Sequence, residues 1–85
     1  MTRDEAWTLL NMYTKSHSLI KHALAVEAAM VHYAGVLGED AGMWGVVGLL
    51  HDFDYERWPQ PPDHTREGAK ILREMGVDEE IVGAM

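Results

Sequence analysis

The sequence predicts an all-α fold, a bundle of about five helices forming one domain over residues 1–85. Apolar residues recur at intervals of three and four along most of the chain. Capping residues and glycines divide the chain into segments of helical length. Hydrophobic residues make up 47% of the sequence, which is typical of a globular protein and too many for a disordered one.

The first helix is predicted from its N-terminal cap. Thr2 and Glu5 form a capping-box pattern, in which each side chain bonds to the backbone N–H of the other. Apolar residues then follow at helical spacing, which predicts a helix over about residues 3–15. His17 and Ser18 interrupt this pattern, and Ser18 is the residue that we expect to cap the next helix.

The second helix is predicted to be the longest, over about residues 19–36. Its apolar positions follow one face of a helix, and they are Leu19, Ala23, Val26, Met30, Tyr33 and Leu37. Gly38 is its expected end, because glycine readily adopts the left-handed conformation that follows many helices.

A third helix is predicted over about residues 41–51, with Asp40 as its cap. It is apolar on nearly every side, so we expect it to be buried in the centre of the fold. Three glycines lie three residues apart within it, at Gly42, Gly45 and Gly48. Because each costs up to about 1 kcal/mol of helix propensity, we expect close packing against another helix as compensation. A strand over 45–50 is the competing interpretation.

The last third of the chain is predicted to hold an irregular segment and two short helices. Pro59, Pro61 and Pro62 disfavour regular structure over 51–62. A fourth helix is expected over 64–75, after Asp63 or its neighbour, and a fifth from Glu79 onwards. The chain stops about two turns into the fifth helix. We therefore expect it to be the N-terminal part of a truncated domain.

Charge and composition exclude several classes of function. The formal charge of −7 argues against binding to an extended nucleic acid, which requires a basic face. The absence of cysteine excludes disulfides, thiolate metal sites and a cysteine nucleophile. The N-terminus does not resemble a signal peptide, and no apolar run has membrane-spanning length, so a cytoplasmic location is the expectation.

Three side chains are candidate metal ligands. His51 and Asp52 are adjacent at the end of the apolar third helix, where both would be costly to bury without a partner. His22 lies on the apolar side of the second helix. Imidazole and carboxylate groups are good ligands for divalent metals, and three ligands with open positions are typical of a catalytic site. The alternatives are a core histidine at position 22 and a helix-end ion pair for the doublet.

Three segments carry a resemblance to a known family: KHALAVEAAM over 21–30, GLLHDFDYERWP over 48–59 and DHTREGAKILREMGV over 63–77. Together they resemble the HD-domain superfamily of metal-dependent phosphohydrolases, in its HDIG-related subgroup. More specific than the doublet alone is the ordered set of His22, then the His51-Asp52 doublet, then His64 with Gly68-Ala69.

The resemblance implies an HD-like helical bundle whose divalent metal ion is bound by His22, His51 and Asp52. In the family a further aspartate on a later helix completes the site, at a position beyond residue 85, and Asp78 does not match it. The implied activity is hydrolysis of a nucleotide or another small phosphoester by a metal-activated water. Asp52 and His51 are the implied catalytic residues, and Asp52 is also a candidate proton acceptor.

Further residues are candidates for binding phosphate or a second metal ion. These are His64, which resembles a family position near the site, Lys21, which precedes His22, and Arg57 in the following loop. The alternatives are a surface histidine, a solvated lysine and an arginine paired with Glu56 or Asp54. Manganese, magnesium, iron, nickel and cobalt all suit the expected ligands.

Two other functions compete with the phosphohydrolase. One is a catalytically incomplete helical module that binds a nucleotide or a protein partner. The other is a plain helical bundle with an incomplete core that drives formation of a homodimer. A rise in melting temperature with divalent cations would favour the phosphohydrolase over the plain bundle.

Overall fold

The structure, a computed structural model, describes residues 1–60 and 63–84, without the side chains of residues 63 and 65. This part of the chain contains five α-helices and no strand: α1 (Arg3–Tyr13), α2 (His17–Leu37), α3 (Ala41–Leu50), α4 (Asp63–Glu74) and α5 (Glu79–Ala84). The predicted all-α class is therefore confirmed, and the competing strand over 45–50 is wrong. Two of the prolines used in the sequence analysis, Pro61 and Pro62, lie outside the described residues.

Helix α1 begins as its sequence predicts, and α2 begins earlier than expected. The Glu5 N–H donates to Thr2 Oγ1 at 3.1 Å and the Thr2 N–H donates to Glu5 Oε1 at 2.8 Å, which completes the capping box. Helix α2 is capped by Ser16, whose Oγ accepts from the Leu19 N–H at 3.5 Å. The prediction that Ser18 caps this helix is therefore wrong.

Helix α3 lies at the centre of the fold. All six residues from Gly45 to Leu50 are buried, and α3 packs against α1, α2 and α5. A Cβ atom at Gly45 would lie 3.0 Å from Val31 Cγ2, and one at Gly48 would lie 2.9 Å from Met30 Cγ. These two glycines therefore allow α2 and α3 to approach closely, as predicted. The third, Gly42, faces the side chain of its own helix cap instead.

The apolar face of α2 is only partly covered. Ala23 is buried and Met30 is half-buried, but Tyr33 and Leu37, two members of the predicted apolar face, are 58% and 63% exposed. Ala34, in the same turns, is fully buried. The end of α2 is therefore covered on one side only, and Tyr33 and Leu37 lie on the uncovered side.

The segment after α3 is irregular, and it is fixed to the linker between α1 and α2. The Phe53 side chain is fully buried, and its carbonyl oxygen accepts from Thr14 Oγ1 at 3.1 Å. Glu56 Oε2 accepts from the backbone N–H groups of Lys15 at 2.8 Å and Ser16 at 3.1 Å. These bonds hold the residues that follow α3 against the beginning of α2.

Candidate metal centre

The structure brings His22, His51 and Asp52 together. His22 lies in the second turn of α2, and the other two residues directly follow α3, which crosses α2. Each offers a ligand atom, and these atoms all lie within 4.8 Å of one another. The two imidazole rings have their centroids 5.4 Å apart. His22 is exposed and the other two are half-buried, so the cluster opens to solvent.

The orientation of the His51 ring suits a cation. Its Nδ1 lies 2.7 Å from the carbonyl oxygen of Gly48. Because a carbonyl can only accept, Nδ1 carries the hydrogen, and in the neutral ring Nε2 keeps its lone pair. That Nε2 lies 3.1 Å from Asp52 Oδ2, so two electron-rich atoms face each other. A divalent metal ion fits this pair, because imidazole nitrogen and carboxylate oxygen are both ligands that such ions take.

The cavity beneath the cluster is small, with a volume of about 10 Å³. It is lined by Leu10, Thr14, Leu19, His22, Ala23, His51 and Asp52. A cavity of this size holds roughly one water molecule. The cluster is therefore accessible to a larger molecule only from its exposed side, where the Asp52 side chain is 40% accessible.

His64, on the first turn of α4, also reaches the cluster. Its Nε2 lies 3.2 Å from Asp52 Oδ1, and its Nδ1 lies 3.0 Å from Asp54 Oδ1. The other oxygen of Asp54 accepts from the Gly68 N–H at 3.1 Å. The edge of the Tyr55 ring covers His64, with centroids 5.6 Å apart. One side of the cluster is therefore formed by α4.

The two predicted phosphate-binding cations differ in their positions. Lys21 is exposed on α2 next to His22. The guanidinium carbon of Arg57 lies 4.5 Å from the centroid of the Tyr13 ring and 5.6 Å from that of Trp58, which are cation–π distances. Arg57 thus stacks on aromatic side chains and is not among the residues that the structure gathers around His22.

A larger groove, of about 340 Å³, lies along α1. It is lined by Asp4, Glu5, Thr8, Leu9, Met12 and Met75. This lining has no histidine, and none of its residues belongs to the one group of potential metal ligands within residues 1–60 and 63–84. The potential metal ligands therefore lie at the histidine cluster and not in this groove.

Sequence reasoning missed the burial of Asp54. We named it as a possible partner of Arg57, but its side chain is 1% exposed and accepts from the backbone of α4. The available signal was the spacing of Asp52 and Asp54 two residues apart, followed by a glycine in the next helix. Thr14 was also missed, and nothing in the sequence pattern links it to Phe53.

The described residues form an all-α domain of five helices. It has a candidate metal centre, made by two histidines and an aspartate near the end of the central helix. Residues 19–85, most of the chain, match the HD domain family, and the chain belongs to that family. This family is part of the superfamily of metal-dependent phosphohydrolases, whose domains generally bind divalent metal ions. The HDIG-related subgroup stays a prediction.

No curated protein and no solved structure matches the chain significantly. Family membership therefore rests on the match over residues 19–85 together with the helical fold. Within residues 1–60 and 63–84, no helix combines the length and the apolarity that crossing a membrane requires.

Proposed function

We propose that this protein is a metal-dependent phosphohydrolase that hydrolyses a nucleotide or another small phosphoester. The observation that carries the proposal is the convergence of three ligand atoms from α2 and the end of α3 within 4.8 Å. Two rigid, closely packed helices supply these ligands, so little reorganisation is needed when a cation binds. The nucleotide preference, the predicted homodimer and the one-domain organisation stay predictions.

His22, His51 and Asp52 would hold the cation. When bound, a divalent cation activates a water molecule and neutralises charge on a phosphoryl oxygen. The carbonyl oxygen of Gly48 fixes the His51 ring, so that Nε2 faces the centre of the site. Asp52 is exposed enough to meet a water molecule and to accept its proton.

The phosphorylated substrate would lie on the open side of the cluster, since the cavity beneath it is too small. Lys21 is exposed next to His22, and we propose that it helps to neutralise the phosphate. Arg57 would have to leave its position on the Tyr13 ring to do the same. Manganese, magnesium, iron, nickel and cobalt ions are all candidates, because each accepts nitrogen and carboxylate ligands.

The first test is the effect of Mn²⁺ on thermal unfolding. At a concentration about 100 times its Kd, a ligand stabilises the folded state by about 2.7 kcal/mol. For a domain of this size, that raises the melting temperature by roughly 10–20 °C. The replacements His51→Ala and Asp52→Ala should each remove the rise. His32→Ala is the matched control, since His32 is an exposed histidine of α2 whose ring lies against Tyr33.

The second test is turnover of a panel of nucleotides and simple phosphoesters by the Mn²⁺-loaded protein. Wild-type protein should release phosphate, and Asp52→Ala should not. Absence of any Mn²⁺-dependent rise in the wild type, or its loss in His32→Ala, would contradict the proposed metal site. A rise in melting temperature without turnover would instead support the alternative function, a helical module that binds a nucleotide or a protein partner without catalysis.

A further inference from the structure

We propose that Asp54 is a positioning residue of the metal centre. Acting through His64, it holds the carboxylate of Asp52 in the orientation that a cation needs. The inference rests on the proposed function, because it assigns a role within the same metal site. This role accounts for three features of the structure: the burial of Asp54, the position of His64 on α4, and the glycine one turn later, Gly68.

The burial of Asp54 is the first observation. A carboxylate that is 1% exposed is costly unless polar groups of the protein replace the water that it has lost. Gly68 supplies one such group, since its backbone N–H donates to Asp54 Oδ2 at 3.1 Å. His64 Nδ1 lies 3.0 Å from the other oxygen. Asp54 is therefore anchored to α4 by a hydrogen bond at Oδ2, and at Oδ1 it makes an ion-pair contact with His64.

The second observation is that the His64 ring connects two carboxylates. Its Nε2 lies 3.2 Å from Asp52 Oδ1, while Asp52 Oδ2 lies 3.1 Å from His51 Nε2. Because the imidazole ring is rigid, a contact that fixes Nδ1 also fixes Nε2. The position of Asp54 therefore sets the rotation of the Asp52 carboxylate. Groups that orient metal ligands in this way tune the affinity for the metal.

The third observation is the close approach of Gly68 to Asp54. A Cβ atom at Gly68 would lie 2.6 Å from Asp54 Oδ2 and 2.8 Å from its Cγ, well inside normal contact distance. A side chain at position 68 would therefore collide with the carboxylate that the backbone N–H of the same residue binds, and glycine avoids this collision. The two residues act as one unit, which explains why a helix former does not occupy this buried position of α4.

This arrangement argues against a phosphate ligand at His64, and the stoichiometry of Mn²⁺ binding tests the alternative of a second metal ion. The sequence suggested that His64 binds phosphate or a second metal ion. Both of its ring nitrogens, however, face carboxylate oxygens of the chain, at 3.0 and 3.2 Å. A phosphate ligand would need a nitrogen directed to the open side of the cluster.

The test is Mn²⁺ binding by isothermal titration calorimetry, which reports both affinity and stoichiometry. Asp54→Asn replaces one carboxylate oxygen by an NH₂ group, so the side chain no longer accepts at both positions. Gly68→Ala displaces the carboxylate. Each variant should bind Mn²⁺ about 10-fold more weakly than the wild type, the usual effect of losing a group that orients a ligand.

Two replacements of His64 test whether Asp54 acts through its ring. The amide of His64→Gln lies near the place of Nε2, so it can contact Asp52 and not Asp54. The shorter side chain of His64→Asn places its amide near Nδ1, so it can contact Asp54 and not Asp52. Because each variant breaks the connection between the two carboxylates, each should lose about as much Mn²⁺ affinity as Asp54→Asn.

Control measurements keep folding apart from metal binding. Each variant is melted without metal, and titrations are made where it is fully folded. Val82→Ala, which removes buried apolar atoms from α5, should lower the melting temperature and leave the Mn²⁺ affinity unchanged. Wild-type affinity in Asp54→Asn and Gly68→Ala, or in His64→Gln, which keeps the contact with Asp52 but not that with Asp54, would overturn the role of Asp54.

Two further outcomes are informative. A fall from two bound Mn²⁺ ions to one in both His64 variants would make that histidine a ligand of a second ion and overturn the positioning role. A wild-type protein that binds no Mn²⁺ would overturn the proposed function itself, together with everything built on it. Mn²⁺ binding by the wild type therefore tests the metal site, and a lower Mn²⁺ affinity in the variants alone tests the role of Asp54.

Discussion

Replacement of Gly48 by alanine tests whether the contact between α2 and α3 assembles the metal centre. The added Cβ would lie 2.9 Å from Met30 Cγ, 3.0 Å from the Val26 carbonyl oxygen and 3.1 Å from Glu27 Cα. The side chain of Met30 can turn away, but the two backbone atoms belong to α2 and cannot move independently of it. Helix α3 would therefore shift by a few tenths of an ångström away from α2.

The magnitude follows from two opposing terms. Overpacking of this kind costs about 1–3 kcal/mol. Alanine in place of glycine in a helix returns up to about 1 kcal/mol. A net loss of about 1 kcal/mol lowers the melting temperature of a domain of this size by about 4–8 °C. Because His22 is on one helix and His51 follows the other, the shift should also weaken Mn²⁺ binding.

The assay is thermal unfolding followed by circular dichroism, with and without Mn²⁺. Gly35→Ala is the matched control, because Gly35 is also a helical glycine and a Cβ there would meet nothing within 4 Å. It should raise the melting temperature, since only the gain in helix propensity remains. A similar rise for Gly48→Ala would refute the close approach of the two helices.

Two more predictions concern stability. Thr14→Val removes the buried bond to the Phe53 carbonyl and should lower the free energy of unfolding in urea by about 1–3 kcal/mol; an unchanged value would mean that this bond contributes nothing. The Thr2 N–H, and secondarily the Thr2 hydroxyl, lower the pKa of Glu5 from its usual 4.5. The stabilisation of the folded state that Glu5 contributes is therefore complete above pH 4.5, and it is lost as the pH falls through the lowered pKa. The stability difference between wild type and Glu5→Gln should shrink on acidification, and a difference independent of pH would contradict the capping role.

Local features of the fold were predictable because their causes lie within a few residues. The capping box of Thr2 and Glu5 needs only the first turn of α1. The start of α2 was not predictable in the same way, since Ser16 and Ser18 are both good caps. The choice depends on Glu56, which accepts from the linker backbone some 40 residues away in sequence and fixes Ser16 in place.

In the candidate site, too, features with local causes were predictable and features set by tertiary distances were not. Residue chemistry singled out His22, His51 and Asp52, and the glycine spacing of α3 indicated the helix contact that gathers them. The burial of Asp54 depends on how closely the backbone at Gly68 approaches it, which is a tertiary distance. No pattern of residue types along the chain encodes such a distance.

The burial of residues 45–50 of α3 has a consequence for how the protein opens. Amide hydrogens in a segment enclosed by other helices exchange with solvent only when much of the fold comes apart, whereas exposed helix ends exchange through local fraying. The last turn of α2, with Val36 and Leu37 in solvent, can fray without disturbing the earlier turn that carries His22. His51 directly follows the buried half of α3, so its backbone is displaced only in the larger openings of the molecule.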